Sequence, residues 1–130
     1  MSDDHFRFKM ILNSLKALHP DIPQGNAYRH LVTLAALING IIGSKSCQLP
    51  SVAAKVPFVG KLDSIVKKFS RWLQNDEISY DTYFLPYVSV LLKCLYRQTL
   101  AIVFDGSIVG RDCITLMASV IYKKRALPLC

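Results

Sequence analysis

Apolar residues recur at three- and four-residue intervals up to about residue 97. Beyond it they stand side by side or alternate. The first texture is that of amphipathic helices and the second that of strands. The pattern therefore predicts an α+β protein, with a helical region over 1–97 and a strand region over 98–130.

Phe8, Ile11, Leu12, Leu15 and Leu18 mark one face of a first helix. That helix stops at His19-Pro20, because proline disfavours helical geometry in the residue before it. A second helix over 27–42 turns Leu31, Leu34, Ala35, Ile38, Ile41 and Ile42 inward, with Val32 and Leu37 widening the apolar surface. A helix apolar over so much of its circumference is expected at the centre of a bundle. Residues 49–56 predict a short helix with Pro50 in its first turn. A tight turn over 57–60 and a longer helix over 61–74 follow, giving a helix-turn-helix-like pair.

In the longer helix Leu62, Ile65, Val66, Phe69, Trp72 and Leu73 cover one side. At about 100° per residue, Lys61, Ser64, Lys67, Lys68 and Arg71 fall on the other. One side is expected to be core and the other cationic. A last helix over 86–95, with a looser start near Asp81, rests on Tyr87, Val88, Leu91, Leu92 and Leu95.

Residues 100–104 are apolar at every position, as expected of a strand buried inside a sheet, and the run ends at Asp105-Gly106. A second strand over 114–122 leads through a turn at Lys123-Lys124-Arg125 into the opening of a third at Ala126-Leu127-Pro128-Leu129. Two or three strands apolar on both faces need neighbours or covering helices. The strand unit is therefore expected to be unfinished.

Composition supports folding, with 52% hydrophobic and 19% charged residues. Charge narrows the partners: 16 Lys and Arg against 9 Asp and Glu give +7, and the acids are all Asp except Glu77. This balance suits a polyanion, nucleic acid ahead of an anionic membrane surface. No apolar run reaches the roughly 20 residues of a membrane-spanning helix, and the acidic start does not read as a signal peptide. A cytoplasmic protein with no membrane partner is expected. Cys47, Cys94, Cys113 and Cys130 show no paired spacing and are expected to serve as small apolar residues.

Between positions 55 and 71, the five basic residues Lys55, Lys61, Lys67, Lys68 and Arg71 face a single acid, Asp63. They are the candidate contacts to double-stranded DNA, where they would neutralise phosphates and release counterions. A solvated helix face is the plainer alternative. The basic segment 122–125 is read first as a turn between strands, with DNA contact as the lesser alternative. His5, His19 and His30 have no nucleophile motif beside them, and there is no glycine-rich phosphate loop. Asp105, a carboxylate closing a hydrophobic strand, is the candidate metal ligand, with an Asp-Gly turn as the competing reading. Alone it cannot hold a divalent cation tightly. Asp112, beside Arg111, suggests a surface ion pair or a role where the second strand begins.

The string FDGSIVGRDCITLMASVIYKKRALPL over 104–129 resembles the first catalytic block of bacterial insertion-sequence transposases of the DDE type, in the IS-four-like group. Leu49-Pro-Ser-Val-Ala-Ala-Lys-Val and Lys68-Phe-Ser-Arg-Trp-Leu-Gln-Asn are similar to that family's N-terminal helical region, which engages transposon-end DNA. The likeness covers residues 8–130. It implies an RNase H-like catalytic domain, of which 98–130 supplies the first strands and Asp105 the first catalytic, metal-binding acid. The family's second Asp and its Glu come from later in the chain, and together the three hold two Mg²⁺ ions. Glu77 precedes the strands and does not substitute. The expectation is the N-terminal portion of a transposase that binds transposon ends, binds Mg²⁺ weakly or not at all, and does not cleave DNA alone. A small non-enzymatic helix-turn-helix regulator, its strands pairing with another copy in a homodimer, is the alternative. A membrane-surface protein that uses the basic amphipathic helices is a third reading.

Overall fold

The computed structural model describes residues 3–110 and 112–130 and is α+β, with helices first and a small antiparallel sheet last. The chain divides into two compact units, Met1–Tyr87 and Val88–Cys130.

In the first unit, helix α1 (Asp3–Ala17) carries Asp3 and Asp4 in its first turn and Lys16 in its last, each suited to the helix dipole. Its predicted apolar face is the inner one, but every residue on it is only half-buried. Phe8 reaches the main core and meets Phe58 edge-on at 6.0 Å.

Helix α2 (Gly25–Ser44) packs against α1, against the short helix α3 (Leu49–Ala53) and against α4 (Leu62–Leu73). Its buried residues are Leu31, Thr33, Ala35, Ala36, Leu37, Asn39 and Gly40. Ile41 and Ile42, expected inside, are exposed. The inner face instead follows small and polar residues that let neighbours come close. A Cβ on Gly40 would stand 2.5 Å from a Val52 methyl carbon and 2.6 Å from the Val52 carbonyl oxygen. Asn39 is fully buried, and both ends of its amide are used. Arg7 Nε donates to its Oδ1 at 2.8 Å, and its Nδ2 donates to the Lys55 carbonyl at 3.0 Å. Arg7 also pairs with Asp4.

The core joins Ala36 and Leu37 of α2, Val52 and Ala53 of α3, and Ile65 and Phe69 of α4. Of the six apolar positions predicted for the inner side of α4, Ile65 and Phe69 are buried, Val66 and Trp72 half-buried, and Leu62 and Leu73 exposed. The tight turn expected at 57–60 is the end of an eight-residue connection, 54–61. That is longer than the three or four residues that join a helix-turn-helix. Pro57 contributes no N–H, and Gly60 sits at φ 152°, so this stretch runs extended rather than helical. Helix α5 (Tyr80–Tyr83) is capped by Ser79, whose hydroxyl accepts from Thr82 N. Helix α6 (Leu85–Leu95) follows, with Pro86 in its first turn as predicted.

In the second unit, strands β1 (Ile102–Ile108), β2 (Ile114–Tyr122) and β3 (Arg125–Pro128) form an antiparallel meander in chain order. The strand predicted to be buried inside a sheet is the edge strand β1, exposed along its whole length. Only β2 has neighbours on both sides, and its buried residues are Ala118, Ser119 and Val120. Nor does β1 end at Asp105-Gly106. Asp105 pairs with Met117, Gly106 with Leu116 and Ser107 with Thr115, so ladder hydrogen bonds outweigh the poor strand preference of Asp and Gly.

The β2–β3 turn falls at Lys123 and Lys124 as expected, with φ of 47° and 65°. The four cysteines, expected to serve as small apolar residues, are free thiols and all exposed, so none takes part in apolar packing of the core. Each lies in a connection, at the chain end or on the outer side of α6. Among the described residues no helix is long and apolar enough to cross a membrane.

Candidate nucleic-acid interface

The cationic side of α4 follows from its spacing. Burial of Ile65 and Phe69 fixes the helix rotation: Lys67 and Arg71 fall toward the side away from the core, whereas Lys61 and Lys68, expected there too, fall on its flank, and all four are exposed. Lys61 is the N-cap residue and offers no side-chain oxygen to cap the helix, while Asp63 places an acid in the first turn and Arg71 a base in the last. Lys68 Nζ lies 4.5 Å from the centre of the Phe58 ring, a cation–π contact. Among the described residues none of these four makes an ion pair with a carboxylate.

The five predicted DNA contacts are not all brought together. Lys68 and Arg71 line a cleft of about 310 Å³ between α4 and α2. Lys61 and Lys67 lie outside it on the same helix. Lys55 is exposed at the end of α3, where its backbone carbonyl receives the Asn39 amide.

The opposite wall of the cleft is α2, which contributes Arg29, His30 and Thr33. Sequence reasoning missed Arg29 and did not place His30 here. The available signal was that these two are the sole basic residues in a helix that is otherwise apolar or neutral. Ser64, Trp72 and Asn75 complete the lining.

Several of these groups are already engaged. Thr33 Oγ1 donates to the Arg29 carbonyl at 3.0 Å, and Asn75 Oδ1 accepts from Glu77 N at 3.0 Å. His30 Nε2 lies 3.4 Å from Glu77 Oε2. Behind the cleft, the Tyr83 ring stands edge-on to His30 at 6.4 Å and to Trp72 at 6.1 Å. Burial, helped by the nearby Glu77 carboxylate, raises the Tyr83 phenol above the ordinary tyrosine value of 10.0. The Trp72 indole N–H is buried and has no hydrogen-bond partner among the described residues.

Asp105 projects from the exposed edge strand, in register with Met117. Among the described residues no group of three or more His, Cys, Asp or Glu could hold a metal ion. Tight binding of a divalent cation needs several protein or substrate oxygens to converge, and among the described residues no such group surrounds Asp105, so these residues by themselves do not fit a Mg²⁺ site. Asp112 adopts a left-handed φ of 67° in the connection 109–113, which Val109 N closes by donating to the Cys113 carbonyl at 2.8 Å. Arg111, its expected ion-pair partner, lies outside the described residues.

Compared with known proteins, the chain matches no family model, no curated protein and no solved structure.

Proposed function

We propose that the chain binds double-stranded DNA through the cationic side of α4, as the DNA-engaging N-terminal part of an insertion-sequence transposase of the DDE type. The observation that carries the DNA reading is the row Lys61, Lys67, Lys68 and Arg71. These residues are exposed along one side of a helix anchored by Ile65 and Phe69, and no carboxylate neutralises them among the described residues. Such a row attracts the phosphate backbone and supplies affinity rather than base selection. The long 54–61 connection fits this role, because phosphate contact does not require the helix-turn-helix angle that sends a second helix into the major groove.

The transposase assignment rests on the resemblance of 104–129. An antiparallel sheet with Asp105 in its first strand supports it as the start of an RNase H-like domain. No cleavage step is assigned to this chain, since among the described residues Asp105 has none of the companions a two-metal site requires. Purified chain with Mg²⁺ is expected to leave supercoiled DNA carrying transposon ends intact, and nicking would overturn that assignment.

Replacing Lys67, Lys68 and Arg71 together by Gln should weaken duplex binding. It should also flatten the log–log salt dependence by about two to three units, at ~0.9 per phosphate contact. An unchanged slope would remove α4 from the interface. The small regulator reading is favoured by the open edge of β1, which a second copy could extend. A monomer at every concentration in sedimentation would dismiss it.

A further inference from the structure

We propose that the cleft between α2 and α4 is a phosphate-binding pocket, taking the phosphoryl group of a phosphate ester or of inorganic phosphate. Two separate helices bring guanidinium groups to it, Arg29 from α2 and Arg71 from α4, and Lys68 adds an ammonium. Among the described residues neither arginine makes an ion pair, so their charge is not already spent on a carboxylate. Arginine forks match the geometry of phosphate oxygens, and the Ser64 hydroxyl on the same wall adds a neutral donor.

The volume of about 310 Å³ exceeds what a phosphate needs and leaves room for the remainder of an ester. Trp72 in the wall offers that remainder an apolar surface. Glu77 does not line the cleft, but its carboxylate lies 3.4 Å from His30, which does, so one negative charge stands beside that part of the wall. This inference shares Lys68 and Arg71 with the DNA reading and is distinguished from it by Arg29, which is not on the α4 row.

Trp72 is the chain's single tryptophan and lines the pocket, so its fluorescence reports occupancy. The full chain is titrated with inorganic phosphate at fixed ionic strength, with sodium chloride as the blank. Phosphorus NMR line width is followed in parallel in case the indole is insensitive. A saturable response is expected, weakened about tenfold or more by Arg29→Gln or Arg71→Gln, since each loses one charge-assisted contact. Lys9→Gln, which removes one positive charge from α1 outside the cleft, should leave it unchanged. All three positions are exposed, and circular dichroism verifies that each variant folds.

No saturable response by either method, or equal weakening by Lys9→Gln and Arg29→Gln, would overturn the pocket. Repeating the titration with duplex DNA bound identifies the natural source. Competition assigns the pocket to a backbone phosphate, and undiminished phosphate binding assigns it to a separate phosphorylated ligand. A chain that binds phosphate but not DNA would keep the pocket and refute the proposed function.

Discussion

Gly40 shows how one missing side chain sets a helix contact. Alanine is favoured over glycine within a helix by about 1 kcal/mol. Here, however, the added methyl would run into both the side chain and the backbone of Val52. Overpacking of this kind costs about 1–3 kcal/mol, so Gly40→Ala should lower stability in urea denaturation. Val52→Ala in the same chain should restore only part of the loss, because the Val52 carbonyl remains in the way.

Asn39, one position earlier, makes the opposite kind of contact. Asn39→Ala strands a half-buried Arg7 N–H and the Lys55 carbonyl together, and should cost about 1–3 kcal/mol. A melting temperature equal to the parent's would show that water replaces both bonds. Tyr83 supplies a pH dependence. Its phenol is raised by burial and by Glu77, so the fold favours the neutral form. The stability it contributes is complete below the ordinary tyrosine value and is lost as pH rises through the higher folded value. Phenolate absorbance should show one late-ionising tyrosine, and Glu77→Gln should bring it partway back.

Among the elements, the helices were legible and the sheet was less so. The spacing of Phe8, Ile11, Leu12, Leu15 and Leu18 gives the inner face of α1, and Pro86 marks the first turn of α6. The inner face of α2 was misjudged at Ile41 and Ile42 because hydrophobicity ranks them above Asn39 and Gly40. Close approach and a satisfied amide decide that face instead. Asp105 was misplaced at a strand end for a related reason. Residue preference at Asp-Gly is local, whereas the ladder to Met117 and Leu116 depends on residues a dozen positions away. The phosphate cleft was half-visible, since Lys68 and Arg71 follow from helix spacing but their meeting with Arg29 is tertiary.

The edge strand carries its own prediction. Phe104 is 69% exposed and Ile108 80% exposed on a strand whose outer edge is paired with no other strand among the described residues. Such edges template association, and an inserted charge blocks it. Phe104→Lys with Ile108→Lys should reduce light scattering in concentrated solution without lowering the melting temperature. A lowered melting temperature would mean that these side chains are covered in solution.

For the molecule as a whole, the net charge of +7 sets how it meets other molecules more than how it folds. The hairpin corner at Lys123-Lys124 shows this in the backbone. Both residues hold positive φ, a conformation that asparagine and glycine adopt with less strain. The corner thus retains cations where conformational ease would select neutral residues. Lys123→Asn with Lys124→Gly should make the protein harder to melt by about 1 kcal/mol. The same exchange withdraws two charges from the electrostatic reach of the molecule, so backbone comfort and long-range attraction are in competition at this bend.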